Sequence, residues 1–269
     1  YLEGPTTRIV SGCTDLNTKL INWVHTEMKN IKEFQKSYRN KKEMKIAYNR
    51  YDATVFVAEI AKTNFEKITK FNLKNEIVVR NVIDTNEIIE KSMEKIEDTK
   101  KQITLVTLGR LVPIKGYDRL LRIHKKLLEE GINHDLWILG EGHERRNIEE
   151  FIRKNSLQST VKLYGYQENP YKYLREADIY VCSSYVEGYS TAIAEALIIG
   201  KPIVTTRCSG MDEILQNGKY GLITENNEND LYNGIKKMLL NQDVRNKYKE
   251  LALKRREYFN INKQLESVD

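Results

Sequence analysis

From about residue 100 onward, short apolar runs alternate with longer segments in which apolar residues recur at helical spacing. The runs Ile103–Leu108, Asp135–Leu139, Val161–Tyr164, Asp178–Cys182, Pro202–Thr205 and Gly221–Ile223 read as strands. Between them, helical patterns occupy Tyr117–Glu130, Glu144–Asn155, Tyr171–Ala177, Ser190–Ile199 and Met211–Asn217. Strands separated by helices of this length are βαβ units, and they predict a parallel sheet covered on both faces. Past Ile223 the chain turns helical and polar, over Glu228–Leu240 and Val244–Tyr258, and ends in a short tail. Residues 1–83 alternate too. Strands are expected near Thr7–Val10, Lys19–His25, Ala53–Ala58 and Glu76–Val79, with a long polar helical stretch, Thr26–Arg50, broken near Tyr38–Lys41. Residues 84–101 are charged, show no clear apolar face, and read as a connection between domains.

Composition narrows the class. With 269 residues, 40% hydrophobic and 30% charged, the chain has the make-up of a globular protein of one or two domains. No apolar stretch approaches the ~18 residues of a membrane span. The chain opens on Tyr1-Leu-Glu-Gly-Pro5, without the basic segment and apolar core of a signal peptide. The lack of an initiator Met and of a first strand predicts a fragment. Cys13, Cys182 and Cys208 have no metal or redox spacing, and Cys182 sits in an apolar strand as a buried thiol. A reducing, cytoplasmic setting fits best.

The net charge of +6 is a small difference between 44 basic and 38 acidic residues. Basic residues gather at Lys29–Lys45 and Lys247–Arg256. Such runs are usually solvated helix faces; the other reading is attraction to anionic lipid headgroups, at about 1 kcal/mol per well-placed side chain. Neither run has the interleaved aromatics of a nucleic-acid module, so no nucleic-acid partner is expected. His124, His134 and His143 share no spacing and are expected at the surface.

The segment with most chemistry is Glu187-Gly-Tyr-Ser-Thr-Ala-Ile-Ala-Glu195. The strand before it places Glu187 in a loop, and Gly188, Tyr189, Ser190 and Thr191 at the start of a helix. Unpaired N–H groups and the helix dipole make such a start a phosphate site. Carboxylates on either side suit hydroxyl-rich groups. Thr104–Gly116 supplies a second element: a strand, a turn bearing Gly109, Arg110 and Lys115, then a helix. Cations at a strand's carboxyl end stand where open α/β sheets bind ligands, and two of them could neutralise a diphosphate. Together these parts point to a nucleoside diphosphate sugar.

Gly109-Arg-Leu-Val-Pro-Ile-Lys-Gly116, Leu139-Gly-Glu-Gly142, Glu187–Glu195, Gly200-Lys-Pro-Ile-Val204 and Ser209-Gly-Met-Asp-Glu-Ile214 resemble, in order, the donor domain of retaining family 4 glycosyltransferases. Trp23-Val-His-Thr26, Val57-Ala-Glu59 and Asn81-Val-Ile-Asp84 resemble the end of that family's N-terminal domain. The resemblance implies a GT-B fold: a Rossmann-like donor domain over 102–250, a linker at 84–101, an incomplete second Rossmann-like domain over 1–83 on the acceptor side, and a C-terminal helical tail over 251–269. It also implies roles. Glu187 would bind sugar hydroxyls. The backbone of Gly109, Gly188, Tyr189, Ser190 and Thr191 would face sugar and diphosphate. Glu195 would take the ribose, Tyr166 would lie near the base, and Arg110 and Lys115 would stabilise the leaving diphosphate. His25 would lie near sugar and phosphate.

The expected reaction is transfer of a hexose from a UDP-sugar, with retention, to a glycan or lipid-linked acceptor in bacterial surface-polysaccharide synthesis. Neither cofactor nor metal is expected. No Asp-x-Asp clamp occurs in the chain and no zinc-type His/Cys cluster is present. Peripheral contact with the inner membrane face goes with the basic runs. Two rivals stay open: a UDP-sugar epimerase on the same fold, and a non-catalytic donor-binding fragment.

Overall fold

The computed structural model describes residues 4–259 except Leu16, Thr26, Glu27, Lys29, Asp98 and Thr99. Thr26 of the Val-His-Thr motif and most of the expected tail therefore lie outside the described residues. The described residues form two units. The smaller runs to Asn81 and also takes in Glu187–Tyr189; the larger holds Val82–Val186 and continues from Ser190.

The smaller unit contains α1 (Pro5–Val10), β1 (Ile21–Val24), α2 (Ile31–Gln35), α3 (Lys41–Asn49), β2 (Ala53–Phe56), α4 (Glu59–Thr69) and β3 (Glu76–Val78). Its parallel sheet has the order β1-β2-β3, with Ile21 opposite Ala53 and Thr54 opposite Glu76. Asn40 caps α3 by accepting the Glu43 amide at 2.9 Å, and Met44, Ala47 and Tyr48 make the buried stripe. Tyr48, Phe65 and Phe56 follow one another at ring separations of 5.1 and 5.3 Å, an aromatic core.

One expected strand is a helix. Thr7–Val10 looks like a strand because it is rich in β-branched residues, yet it forms most of α1. Pro5 in the first turn presets helical φ, and the Thr7 hydroxyl donates to buried Asn22 Oδ1 at 3.1 Å. Tertiary bonding outweighs a weak β preference.

The larger unit contains α5 (Thr85–Ser92), β4 (Thr104–Leu108), a 3₁₀ turn at Pro113–Lys115, α6 (Tyr117–Glu129), β5 (Asp135–Leu139), α7 (Arg145–Lys154) and β6 (Val161–Gly165). It continues through α8 (Tyr171–Glu176), β7 (Ile179–Cys182), α9 (Thr191–Ile199), β8 (Ile203–Thr206), α10 (Met211–Ile214), β9 (Leu222–Thr224), α11 (Glu228–Leu240) and α12 (Gln242–Arg255). Its six strands are parallel in the order β6-β5-β4-β7-β8-β9. The order therefore reverses direction between β4 and β7, the switch point at which open sheets leave a crevice. Leu105, Leu136, Ile138, Ile179 and Val204 turn one face of this sheet toward α6, α7 and α11.

Helix α9 belongs to the same unit and is apolar nearly all round. Ile193, Ala194, Ala196, Leu197 and Ile198 are buried in it. Each large aliphatic side chain there stabilises the fold by roughly 1.5–3 kcal/mol relative to exposure. The charged stretch 84–101, expected as a bare connection, contains α5. Asp84 caps this helix through the Asn86 and Glu87 amides, and only Ile88 and Ser92 are buried. A stripe that short leaves little apolar pattern in the sequence.

Two histidines expected at the surface are fully buried. His124 and His134 are both 0% exposed, with His124 Nδ1 2.8 Å from His134 Nε2. His134 Nδ1 must donate to the Ile132 carbonyl at 2.8 Å, so its Nε2 accepts from His124. His124 Nε2 then meets Thr160 Oγ1 at 3.0 Å. His124 lies on the inner stripe of α6, one turn from Leu120 and Leu127. Burial holds both imidazoles below their ordinary pKa, that of His124 at about 3.

Candidate functional site

The site grows from the loops that leave β4 and β7 at the switch point. Gly109 continues the β4 ladder by donating to the Leu139 carbonyl at 3.1 Å, and Leu111 donates to the Glu141 carbonyl at 2.8 Å. Gly140 and Gly142 permit this approach. A Cβ on Gly140 would lie 2.0 Å from Gly109 O, and one on Gly142 would lie 2.3 Å from Leu111 O. Tyr117 Oη then donates to Gly109 O at 2.9 Å. The backbone under Arg110 is thus held from several directions.

The Pro113–Lys115 turn ends at Gly116 with φ of 66°, where a Cβ would strike Ser183 O at 2.1 Å. Ser183 Oγ donates to the Lys115 carbonyl at 2.9 Å, and the Tyr185 amide donates to the Ile114 carbonyl at 2.8 Å. One side-chain bond and one backbone bond therefore join the β4 loop to the β7 loop. The half-buried Lys115 side chain lies along Gly109, its Cε 3.5 Å from where a Cβ would stand. Arg110 is exposed.

A cavity of about 280 Å³ opens at the ends of β4 and β5. Gly109, Arg110, Gly140, Glu141, Tyr166 and Gln167 contribute to its wall. Tyr166 is 76% exposed, a ring presented to solvent at the cavity wall. Pro170 also borders the cavity and precedes α8, whose Tyr171 is hydrogen-bonded to Glu195. Burial pushes the Glu195 carboxyl up to about 7, opposed by the Tyr171 hydrogen bond. The same contact, with burial as the larger cause, pushes the Tyr171 phenol up to about 12. Ser190 caps α9, its Oγ accepting the Ile193 amide at 3.4 Å, and Thr191 is exposed beside it.

The structure thus brings Gly109, Arg110 and Tyr166 to one cavity, folds Lys115 against Gly109, and sets Ser190 at a helix start. Glu187, Gly188 and Tyr189 group with the smaller unit, as does His25 at the end of β1. Within that unit a Cβ on Gly188 would lie 2.9 Å from His25 O. His25 stacks on Trp23 at 6.2 Å, and burial lowers its pKa. The sequence offered Gly116 and Gly140 as motif positions without a role, and the parts played by Tyr171 and the buried Arg119 were missed. The signal for Arg119 is its place four residues before buried Ile123, on the inner side of α6.

Two α/β units with parallel sheets, the larger bearing its loops at a strand-order reversal, have the GT-B glycosyltransferase fold. Residues 88–255 match the family of glycosyl transferases group 1, and the chain belongs to that family. An uncharacterized glycosyltransferase of Methanocaldococcus jannaschii is 30% identical over 287 residues, covering 92% of this chain and 70% of that protein. The N-acetylgalactosamine-N,N'-diacetylbacillosaminyl-diphospho-undecaprenol 4-alpha-N-acetylgalactosaminyltransferase of Campylobacter jejuni is 32% identical over 184 residues. That match covers 68% of this chain and 49% of the enzyme. A mutant of S. aureus TarM, solved with fondaparinux, alpha-GlcNAc-glycerol and UDP, superposes with a TM-score of 0.79 at 20% identity. It covers 96% of this chain and 52% of TarM, and at that identity the likeness is one of fold. The chain spans about half the length of the latter two proteins.

Proposed function

We propose that this chain is the donor-side part of a retaining family 4 glycosyltransferase that moves a hexose from a UDP-sugar to a glycan or lipid-linked acceptor, in cell-surface polysaccharide synthesis. The observation that carries this is the cavity at the ends of β4 and β5, walled by Gly109, Arg110 and Tyr166, with Lys115 folded against Gly109 on the side of the switch point. The Campylobacter relative, named for a diphospho-undecaprenol acceptor, and the UDP in the TarM complex support the substrate class.

Arg110 and Lys115 bind the diphosphate in this scheme and stabilise charge on it as it leaves. They take the place of a divalent ion. Backbone N–H groups at Ser190 and Thr191 add the α9 dipole. Tyr166 flanks the base. In the transfer itself, the bond from the anomeric carbon to the β-phosphate oxygen breaks. The acceptor oxygen bonds the same face of that carbon, and its proton passes to the leaving phosphate. Exposed Lys41, Lys42 and Lys45 on α3 support peripheral contact with anionic lipid on the cytoplasmic face. The 49% coverage of the Campylobacter enzyme favours a second reading of the chain taken alone: donor binding without transfer.

Glu195 accepts the ribose hydroxyls, and its ionised form is the stronger acceptor, with both oxygens free to accept. Its carboxyl is pushed up to about 7, so UDP affinity is expected to rise with pH through that value. The test is calorimetric titration with UDP, UDP-glucose, UDP-galactose, UDP-N-acetylglucosamine and UDP-N-acetylgalactosamine, on wild type and Glu195→Ala. Loss of roughly tenfold in UDP affinity for the variant is expected from one charged hydrogen-bond acceptor. Equal affinity in both proteins would remove Glu195 from the site. An isomerised sugar recovered without acceptor would point to an epimerase instead.

A further inference from the structure

Arg119 is 1% exposed, and its guanidinium has carbonyls rather than a carboxylate as its main partners. Nε donates to Ser183 O at 2.8 Å, and Nη2 donates to Ser184 O at 2.6 Å, with Thr206 Oγ1 at 3.5 Å. The guanidinium lies 4.0 Å from the centre of the Tyr185 ring. Desolvation lowers its pKa, as burial of a cation must. A buried guanidinium is retained at a cost in stability, and an apolar residue on this helix stripe would avoid that cost.

The carbonyls it holds are the first beyond the paired end of β7, whose ladder stops at Cys182 opposite Thr205. Ser184 O also accepts from Thr206 Oγ1 at 2.7 Å and Cys208 Sγ at 3.2 Å. On the other side, Gly116 opens the space for Ser183 O, and Ser183 Oγ reaches the Lys115 carbonyl. The end of β7, the end of β8 and the loop carrying Lys115 all converge on this one side chain.

Resting on the donor site proposed above, we infer that Arg119 is a positioning residue. It fixes the turn at Ser183–Ser184 and so sets the spacing between the Arg110–Lys115 loop and the start of α9, the two sides of the diphosphate site. A bidentate fork can hold two successive carbonyls where an ammonium holds them singly.

The test compares Arg119→Met, Arg119→Lys and Ile123→Ala with wild type. Ile123 is buried one turn further along α6 and its side chain has no hydrogen-bond donor for these carbonyls, so it reports plain loss of core packing. UDP and UMP are titrated calorimetrically, and hydrogen exchange is followed at the Tyr185 amide. For Arg119→Met, UDP affinity should fall roughly tenfold, from two buried carbonyls losing their donor, while UMP affinity falls less than about threefold. The Tyr185 amide should lose protection, Arg119→Lys should recover part of both effects, and Ile123→Ala should melt earlier with UDP affinity kept. Unchanged protection at Tyr185 in Arg119→Met, or equal losses for UDP and UMP, would overturn the positioning role. If wild type itself bound no UDP, the donor site would fail, and the exchange measurement would still decide whether Arg119 holds the turn.

Discussion

The two units are built from the same βαβ grammar, yet they place chemistry differently. In the larger unit six parallel strands run through the interior, and the loops at the β4 and β7 ends are locked by backbone bonds and by glycines with no room for a Cβ. In the smaller unit three short strands are flanked by helices whose identity depends on individual side-chain bonds, such as Thr7 to Asn22. Rigid loops on a deep sheet make a preorganised binding site, because their geometry is set before the ligand arrives. The lesson is that the donor site should respond sharply to backbone changes in the larger unit and little to equal losses in the smaller.

The largest effect expected is from Gly116→Ala. Its added Cβ meets a carbonyl at 2.1 Å in left-handed backbone, and a loss of about 3 kcal/mol or more is expected from strain and collision together. Thermal unfolding should then fall by roughly 6–12 °C, with UDP affinity lost alongside. Gly131→Ala is the contrast: φ is 79° with open space around it, so only about 1–2 kcal/mol is expected.

A smaller effect is expected from acid. Both buried histidines have folded pKa values below the unfolded value, so the neutral pair is stable above about pH 6.5 and stability is lost as pH falls below it. At pH 5 the loss through His124 alone should be about 2 kcal/mol. Urea unfolding of the Glu195→Gln variant at pH 7 and pH 5 measures it free of the opposing carboxyl, and a midpoint that does not fall there would deny the buried neutral pair. Glu195 acts in the opposite sense. Its raised pKa favours the fold at low pH and costs stability as pH rises through about 7.

The smallest change comes from Thr7→Val, which leaves buried Asn22 without its donor and should cost about 1–2 kcal/mol. UDP affinity should stay within about twofold. A larger loss would tie the smaller unit to donor binding.

Much of the larger unit was legible in the sequence because its strands are short apolar runs and its helices carry a regular inner stripe. The six strands and the helices between them were expected within a residue or two, apart from the far end of α10. Gly109, Arg110 and Tyr166 were legible as loop residues after strands, the place where parallel sheets present chemistry. Helix α1 was not, because β-branched Thr6, Thr7, Ile9 and Val10 suit a strand and only a partner in β1 decides otherwise. The buried histidines and Arg119 were hidden for a related reason. A polar residue on an inner stripe, such as His124 or Arg119, or in a connecting turn, such as His134, reads as a surface residue until the groups packed over it are known.

UDP titrated calorimetrically into wild type and into the Arg110→Ala/Lys115→Ala double variant at pH 8 bears most directly on the donor site. Binding at one site per chain, weakened roughly a hundredfold in the double variant by loss of both phosphate cations, is the outcome expected here. Wild-type binding that survives in the double variant unchanged, or no binding by wild type at all, would contradict a donor site at the β4–β7 switch point.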